Sequence, residues 1–258
     1  MNDLEMYREQ LALCDDKIID ALVERNAIIE KIMAYKETYG MPILQPAQEA
    51  KQERRLNEKL KDNKYQDEIH DVFKRILRNS KRIQARKLFS YNIVLIGFMG
   101  AGKSTIAKVL KEKLNVPLCE MDEMIAEQQK MAISDIFAQY GETHFRDLET
   151  QLVKDISEKD GVIVSCGGGA VLREENVSFM KENGRIVLLS ATPETIYERV
   201  RYSKDRPILN GHMNVEYIRE LMEKRRSRYE SVADLAVATD GRSAETIADE
   251  IIAKLREA

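Results

Sequence analysis

The sequence lacks long apolar runs and an excess of charge of either sign. No stretch of the 258 residues approaches the roughly 18 apolar residues of a membrane-spanning helix, and the first ten residues contain no signal-peptide core. Residues 1–90 carry 18 Lys and Arg against 16 Asp and Glu, and the remainder carries 23 against 28, so the net charge of −3 is evenly spread. We therefore expect a cytoplasmic protein whose partners are neither membranes nor nucleic acids.

Cysteine and glycine are also scarce. Cys14, Cys119 and Cys166 are odd in number, far apart and without metal-ligand spacing, which favours reduced thiols over disulfides or zinc. Of the 12 glycines only Gly40 precedes Gly97. Because the chain is also longer than a typical domain of about 150 residues, this change in composition predicts a domain boundary near residue 90.

A short apolar run from Ile93 to Ile96 leads into a phosphate-loop motif. The stretch from Gly97 to Ser104, GFMGAGKS, matches G-x-x-x-x-G-K-[ST], and a segment with helical spacing follows it. Backbone N–H groups of such a loop and the helix N-terminus attract phosphates. The pattern predicts ATP binding by Gly100, Ala101, Gly102, Lys103, Ser104 and Thr105, with Mg²⁺ at the Ser104 hydroxyl.

The residues before this motif predict three helices, Asn2 to Thr38, Ala47 to Leu60 and Gln66 to Leu88. In the first helix an apolar residue recurs every seven positions, at Leu4, Leu11, Ile18 and Ile32. Three helices bury such a long amphipathic helix poorly, so we expect a dimer. A basic run on the third helix favours a solvated face over an RNA-binding surface, and its members are Lys74, Arg75, Arg78, Lys81, Arg82, Arg86 and Lys87.

Polar residues interrupt both apolar stripes. Arg25 occupies the heptad column of the first helix, and Ser80 with Gln84 continues the apolar stripe of the third. Isolated polar groups of this kind often fix helix register or oligomeric state. A second interpretation is an anion site, because Arg25 and Lys36 lie about 16 Å apart on nearly the same helix face, within reach of one small dianion.

The spacing of the polar residues resembles the small all-helical class of chorismate mutase. The matching residues are Arg8, Asp15, Arg25, Lys36, Glu49, Ser80 and Gln84. The resemblance implies rearrangement of chorismate to prephenate, with Arg8 and Arg25 on the carboxylates and Lys36 and Gln84 at the ether oxygen. It also implies that Glu49 binds the ring hydroxyl and that Ser80 contacts the substrate. Gln45 and Gln48 stand where the family commonly has an Asp and an Arg.

The position of Arg8 implies a shared site. Arg8 lies roughly 25 Å from Arg25 along the same helix, too far to bind the same small molecule. In the family that this domain resembles, each protomer of a dimer lends such an arginine to its partner. We therefore expect a homodimer through the helical domain.

From Tyr91 onward strands and helices alternate. The predicted strands are Asn92 to Ile96, Val116 to Cys119, Val162 to Ser165, Ile186 to Leu189 and Leu235 to Ala238. Such alternation predicts a mostly parallel sheet with ligands at the carboxyl ends of its strands. Polar residues follow the carboxyl ends of the predicted strands. Two of these features also have ordinary structural interpretations. Asp122 could cap a helix, and Arg146 with Glu149 could be a surface ion pair.

These motifs together closely resemble shikimate kinase over residues 91–258. They are the phosphate loop, EMDEMI, FR in GETHFRDLE, the triple glycine from Gly167 to Gly169, RP in a lid and the arginine before RSRYE. The resemblance implies that ATP phosphorylates the 3-hydroxyl of shikimate. Asp122 would orient that hydroxyl, Gly168 and Gly169 would donate N–H groups, and Arg146 and Arg225 would clamp the carboxylate.

Further roles follow from the same resemblance. Lys103 and Arg206 would neutralise the transferring phosphoryl group, and Glu120, in place of the family's common Asp, would reach the Mg²⁺ water shell. Arg199 and Arg242 would lie on the nucleotide side. The prediction is thus an all-α three-helix chorismate mutase-like domain (1–88) and an α/β phosphate-loop kinase domain (91–258) with a parallel five-stranded sheet of the nucleoside-monophosphate-kinase type.

Two alternatives remain at this point. The helical domain could serve dimerisation or effector sensing without turnover, which Gln45 and Gln48 favour. The second domain could instead phosphorylate a sugar acid or a nucleoside monophosphate, because many small-molecule kinases share the phosphate loop.

Overall fold

The computed structural model of the protein describes residues 2–39, 41, 45–201 and 214–257. The chain divides into two compact units, residues 1–87 and residues 88–258, and each is described by itself. None of the helices within the described ranges is long and apolar enough to cross a membrane. The segment predicted to form a lid with Arg206 lies outside the described residues.

The first unit consists of helices α1 (Asp3–Thr38), α2 (Pro46–Leu60) and α3 (Gln66–Leu88). Their bounds differ by at most one residue from those predicted. α1 extends for about 54 Å at 1.5 Å per residue. α2 begins at a proline, which suits the first helical turn because the N–H group that proline lacks would have no helical partner there.

One face of α1 is covered by its own unit only over the second half of the helix. There, Ile29 and Met33 are buried, and Lys36 is 9% exposed. Over the first half, the residues of the same face are open to solvent: Leu4 is 54% exposed, Leu11 62% and Ile18 56%. An apolar surface of this size on a 36-residue helix is typical of an interaction site.

The second unit contains a five-stranded parallel sheet, as predicted, and its strand order is β2-β3-β1-β4-β5. The strands are β1 (Asn92–Ile96), β2 (Leu118–Glu120), β3 (Ile163–Ser165), β4 (Gly184–Ser190) and β5 (Leu235–Ala238). β1 is buried at all five positions and pairs with both β3 and β4. The residue that follows it therefore lies at the centre of the carboxyl edge of the sheet.

Helices connect the strands of this unit. They are α4 (Lys103–Leu114), α5 (Met121–Gln129), α6 (Ile133–Ser157), α7 (Glu174–Glu182), α8 (Pro193–Val200), α9 (Val215–Val232) and α10 (Ala244–Glu257), with a 3₁₀ turn at Ala170–Leu172. Apolar side chains of the strands and helices, such as Val94, Ile136 and Ile186, form the core.

Two local expectations were wrong. The second strand begins at Leu118 rather than Val116 and includes Glu120, whose Cα pairs in register with Ser165. Asp122 does not cap α5, because Glu120 occupies that position and Asp122 lies in the first turn. The position of Glu120 at the end of β2 is therefore set by its pairing with β3 in the sheet.

Candidate active sites

The phosphate loop follows β1 and ends at the first residue of α4. Gly97, Gly100 and Gly102 have φ angles of 142°, 77° and 95°, so the loop uses backbone conformations that other residues rarely adopt. Lys103 Nζ donates hydrogen bonds to the carbonyl oxygens of Gly97 (2.8 Å) and Phe98 (3.1 Å). The ammonium group is thereby held against the loop, at the N-terminus of a helix where anions are favoured.

A set of oxygen atoms beside the loop suits a magnesium ion. Ser104 Oγ donates to Glu120 Oε2 at 3.1 Å and lies 3.5 Å from Ser165 Oγ. Glu120 is 9% exposed, and its buried Oε1 atom has no hydrogen-bond partner among the residues that the structure describes. Hydroxyl and carboxylate oxygens are the ligands that Mg²⁺ and its bound waters prefer, so these residues fit the predicted metal.

A cleft of about 590 Å³ opens over the loop. Its lining includes most of the residues predicted for the nucleotide and the metal, which are Gly100, Ala101, Gly102, Lys103, Ser104, Thr105, Glu120, Arg199 and Arg242. Asp122 and Gly168, which were predicted to contact shikimate, line it as well. Arg199 donates to Gly100 O (3.1 Å) and to both oxygens of Thr239, which joins the loop to the end of β5. Arg242 pairs with Glu250 Oε2 at 2.5 Å.

The triple-glycine turn after β3 connects this cleft to two arginines. Arg225 Nη1 lies 3.5 Å from Gly168 O, and its guanidinium carbon lies 5.9 Å from the ring centre of Phe98 in the phosphate loop. A side chain on Gly169 would overlap the guanidinium of Arg146. Glycine at this position leaves room for the guanidinium, which any other residue would force to move. Arg146 and Arg225 therefore contact the same turn, of which Gly168 lines the cleft.

Arg146 and Glu149 form a buried ion pair rather than the surface pair that their spacing alone suggested. Arg146 Nη1 donates to Glu149 Oε2 at 2.8 Å, and Glu149 is fully buried. Burial raises the pKa of Glu149, against the opposing effect of Arg146. Burial also acts to lower the pKa of Arg146, but Glu149 and Glu142 outweigh it and raise that pKa.

The helical unit contains a separate cleft of about 450 Å³. Five predicted residues from all three helices line it: Arg25, Lys36, Glu49, Ser80 and Gln84. Arg25 Nη1 donates to Ser80 Oγ at 2.5 Å, and Ser80 in turn donates to Ile76 O at 2.8 Å. Burial lowers the pKa of Arg25. Of the predicted residues of this site, Arg8 alone lies outside the cleft, on the exposed first half of α1.

Comparison with known proteins identifies both units. The family model for shikimate kinase matches residues 99–256 of this chain.

The chain belongs to the shikimate kinase family.

A curated shikimate kinase of Thermodesulfovibrio yellowstonii is 41% identical over 161 residues, which are 62% of this chain and 92% of that protein. One of Persephonella marina is 40% identical and covers 64% of this chain and 99% of that protein. The structure of an Acinetobacter baumannii shikimate kinase in complex with shikimate has a TM-score of 0.64 and 29% identity, covering 67% of this chain and 97% of that one. Membership implies ATP as the phosphoryl donor.

The helical unit is a chorismate mutase domain. The family model for chorismate mutase type II matches residues 7–85. This chain is therefore a fusion of a chorismate mutase domain with a shikimate kinase domain, as the motifs predicted.

The shikimate kinase domain contains two contacts that the sequence analysis missed. The Tyr229 hydroxyl donates a short hydrogen bond to Gly168 O, and burial raises the pKa of this phenol, which keeps the hydroxyl a donor. Thr239 is buried and holds Arg199. The position of Tyr229 one helical turn after Arg225, on the same face of α9, could have indicated that both side chains contact the same turn.

Proposed function

We propose that the kinase domain transfers the γ-phosphoryl group of ATP to the 3-hydroxyl of shikimate. The observation that carries this proposal is that Gly168 lines the phosphate cleft while its carbonyl oxygen lies 3.5 Å from Arg225 Nη1. Groups that suit a triphosphate and cations that suit a small carboxylate therefore meet at one turn.

The carboxylate of shikimate would bind between Arg146 and Arg225. Arg146 Nη1 is held by buried Glu149, whereas Nε and Nη2 both donate to Glu142 Oε1, at 3.3 and 3.1 Å. The Glu142 side chain is 65% exposed. An entering carboxylate would displace this exposed partner and accept from the same two nitrogen atoms, while Glu149 keeps the guanidinium in place.

Phosphoryl transfer depends mainly on positioning and charge neutralisation. Asp122 is exposed at the cleft, where it would orient the 3-hydroxyl and accept its proton. Lys103 would exchange the carbonyl oxygens of Gly97 and Phe98 for phosphate oxygens, and N–H groups of Gly168 and Gly169 would hold the substrate. Arg206 remains a proposed second cation on the phosphoryl group.

Mg²⁺ would be held by Ser104 and, through its bound waters, by Glu120. When bound, the ion neutralises charge on the β and γ phosphates. The buried Oε1 of Glu120 supports this placement because a carboxylate oxygen needs a donor or a cation beside it.

ADP release measured with shikimate, gluconate and AMP as acceptors tests the kinase proposal. We expect turnover with shikimate and less than a hundredth of that rate with the other two. Turnover with AMP alone would contradict the carboxylate clamp, because AMP offers no carboxylate to Arg146 and Arg225.

We propose further that the helical domain converts chorismate to prephenate. The reaction needs no nucleophile and no proton transfer, so holding the compact conformer and placing donors at the ether oxygen are sufficient. Arg25 would bind a carboxylate, Lys36 and Gln84 would donate to the ether oxygen, and Glu49 would accept from the ring hydroxyl. Their convergence with Ser80 in one cleft supports this assignment.

The mutase site would be completed by a second copy of the chain. The first half of the α1 face is exposed and apolar, continues the face that the domain covers over the second half, and carries Arg8 at its start. A partner helix on this surface would bury it and bring Arg8 to the other protomer's cleft. Light scattering should give a mass twice the 29.7 kDa of one chain, whereas a protomer mass at micromolar concentration would contradict the shared site.

Gln45 and Gln48, which line the cleft without charge, favour a second candidate in which the helical domain only dimerises or senses an effector. The rate of chorismate loss with the full chain, measured by ultraviolet absorbance, distinguishes a catalytic helical domain from a purely structural one. We expect catalysed loss at micromolar enzyme. Absence of loss would leave the structural role.

A further inference from the structure

The chorismate mutase cleft contains a lysine that is not among the residues assigned by resemblance to the family. Lys81, directly after Ser80 on α3, lines the cleft, and its Nζ donates to Glu49 Oε2 at 2.8 Å. The sequence placed Lys81 on a solvated basic face, yet its side chain is only 30% exposed. That expectation was wrong for Lys81 because Glu49 of α2 supplies a carboxylate that pairs with its ammonium group.

The other Lys and Arg residues of α3 that line the cleft differ from Lys81 in exposure. Lys74 and Arg78 are exposed, and Lys74 lies 3.9 Å from the exposed carboxylate of Asp71. A cation that remains largely in water contributes little to holding an anion, since solvent and salt screen it. Lys81 is partly shielded from that screening.

The charges of the cleft explain why a third shielded cation matters. Among the described residues that line it, the cations that are buried or half-buried are Arg25, Lys36 and Lys81, and Lys81 contacts Glu49. Counted with Glu49, the carboxylate that Lys81 contacts, and without the exposed Lys74, Arg78 and Glu53, these three cations leave two positive charges, which is the number of carboxylates of chorismate. Without Lys81 only one would remain, and Glu49 would repel the incoming dianion.

We propose that Lys81 is the third cation of the chorismate site: it offsets the charge of Glu49, keeps that carboxylate beside the ring hydroxyl, and provides the positive charge that neutral Gln48 does not. This inference rests on the proposed mutase activity. It also explains how a cleft with two glutamines, Gln45 and Gln48, can still bind a dicarboxylate.

Steady-state kinetics of chorismate loss by the full chain test the inference. Lys81→Met should raise KM for chorismate about tenfold or more, because a hydrogen-bonded charge is lost. Lys81→Arg keeps the charge, so its KM for chorismate should stay near the wild-type value. Lys81→Met combined with Gln48→Arg should recover most of the lost kcat/KM, because a positive charge returns to the same cleft.

Arg82→Met is the matched control. Arg82 is the next residue, is exposed, and donates to Asn79 rather than into the cleft. Its removal should change kcat/KM less than twofold, and thermal unfolding should show that all variants fold.

Two outcomes would overturn the inference. One is a KM for chorismate of Lys81→Met within twofold of wild type. The other is a double variant, Lys81→Met with Gln48→Arg, whose kcat/KM is no higher than that of Lys81→Met alone. If the wild-type chain does not turn over chorismate, the proposed function fails by itself. Calorimetric titration with chorismate then decides the role of Lys81, because Lys81→Met should still weaken binding about tenfold, and unchanged affinity would overturn it.

Discussion

Arg146 contacts two carboxylates in different environments. Glu149 is buried and holds Nη1, so removing it would leave the guanidinium without a fixed orientation in a low-dielectric environment. Glu142 is 65% exposed, and an exposed ion pair of this kind contributes only about 0.2–1 kcal/mol. The buried partner therefore positions the arginine, whereas the exposed one competes with a ligand for it.

Glu142→Gln should tighten shikimate binding. The amide competes less well than a carboxylate for Arg146, so we expect KM for shikimate to fall by up to about fivefold. KM for ATP should not change. Steady-state kinetics with each substrate varied in turn measure both values. Glu149→Gln provides the contrast, because losing the buried anion should raise KM for shikimate.

Arg225→Ala should affect shikimate far more than ATP. Loss of a charge-assisted hydrogen bond of about 1.5–3 kcal/mol corresponds to a rise in KM for shikimate of roughly 10- to 150-fold. Arg226→Ala is the matched control, because Arg226 is exposed and pairs with Glu223 on the same helix. Equal effects of Arg225→Ala on both substrates would argue against a carboxylate clamp.

The sequence predicts a residue's role well when that role depends on the residues next to it in the chain. Lys103 and Ser104 belong to one continuous motif, and their place at a helix N-terminus follows from it. The burial of Glu149 could not be predicted in this way. It results from packing against the turn at Gly167, where an added side chain would lie 2.7 Å from Glu149 Oε1 and 2.9 Å from Asp122 Oδ1.

Helices and strands were predicted closely where apolar periodicity was strong. β4 is longer than expected, Gly184–Ser190, because it pairs with β1 on one side and β5 on the other. The start of β2 was placed too early because Val116 is apolar, whereas Glu120 was excluded because it is charged. Its cross-strand pairing with Ser165, which sequence alone does not show, extends the strand.

A bend at Gly141 divides α6 into two segments. Gly141 has φ 82° and ψ 172°, a conformation that is essentially restricted to glycine. The bend separates the segment starting at Ile133 from the segment that carries Arg146 and Glu149. The direction of that second segment sets where the arginine meets the triple-glycine turn.

Gly141→Ala should destabilise the kinase domain by about 1–3 kcal/mol, because alanine cannot adopt this conformation without strain. Apart from the adjacent residues and the backbone of the same helix, no atom of the described residues lies within 4 Å of the added methyl group, so steric overlap contributes little. Urea unfolding, monitored by the loss of kinase activity, measures the shift in the urea concentration at the unfolding midpoint. If the bend also positions Arg146, KM for shikimate should rise more than KM for ATP. Stability equal to wild type would show that the helix straightens at no cost.

For the molecule as a whole, the two activities differ in what they require. In the described residues of one chain, the kinase cleft brings together its phosphate loop, the proposed Mg²⁺ ligands and, through one turn, the two arginines proposed to clamp the carboxylate. The mutase cleft has Arg25 and Lys36 but not Arg8, which lies on the open half of α1. Kinase activity should therefore be independent of association, whereas mutase activity should require it.

Mixing two inactive variants tests this requirement. In a two-fold dimer each mutase site would use Arg25 of one chain and Arg8 of the other, so a heterodimer of Arg8→Ala and Arg25→Ala chains has one intact and one doubly altered site. Random exchange makes half of the dimers mixed, and chorismate turnover should recover to about a quarter of the wild-type value. Shikimate phosphorylation should remain at the wild-type level throughout, which shows that the chains are folded. If exchange is verified with differently tagged chains and no mutase activity returns, Arg8 does not act in the partner's site.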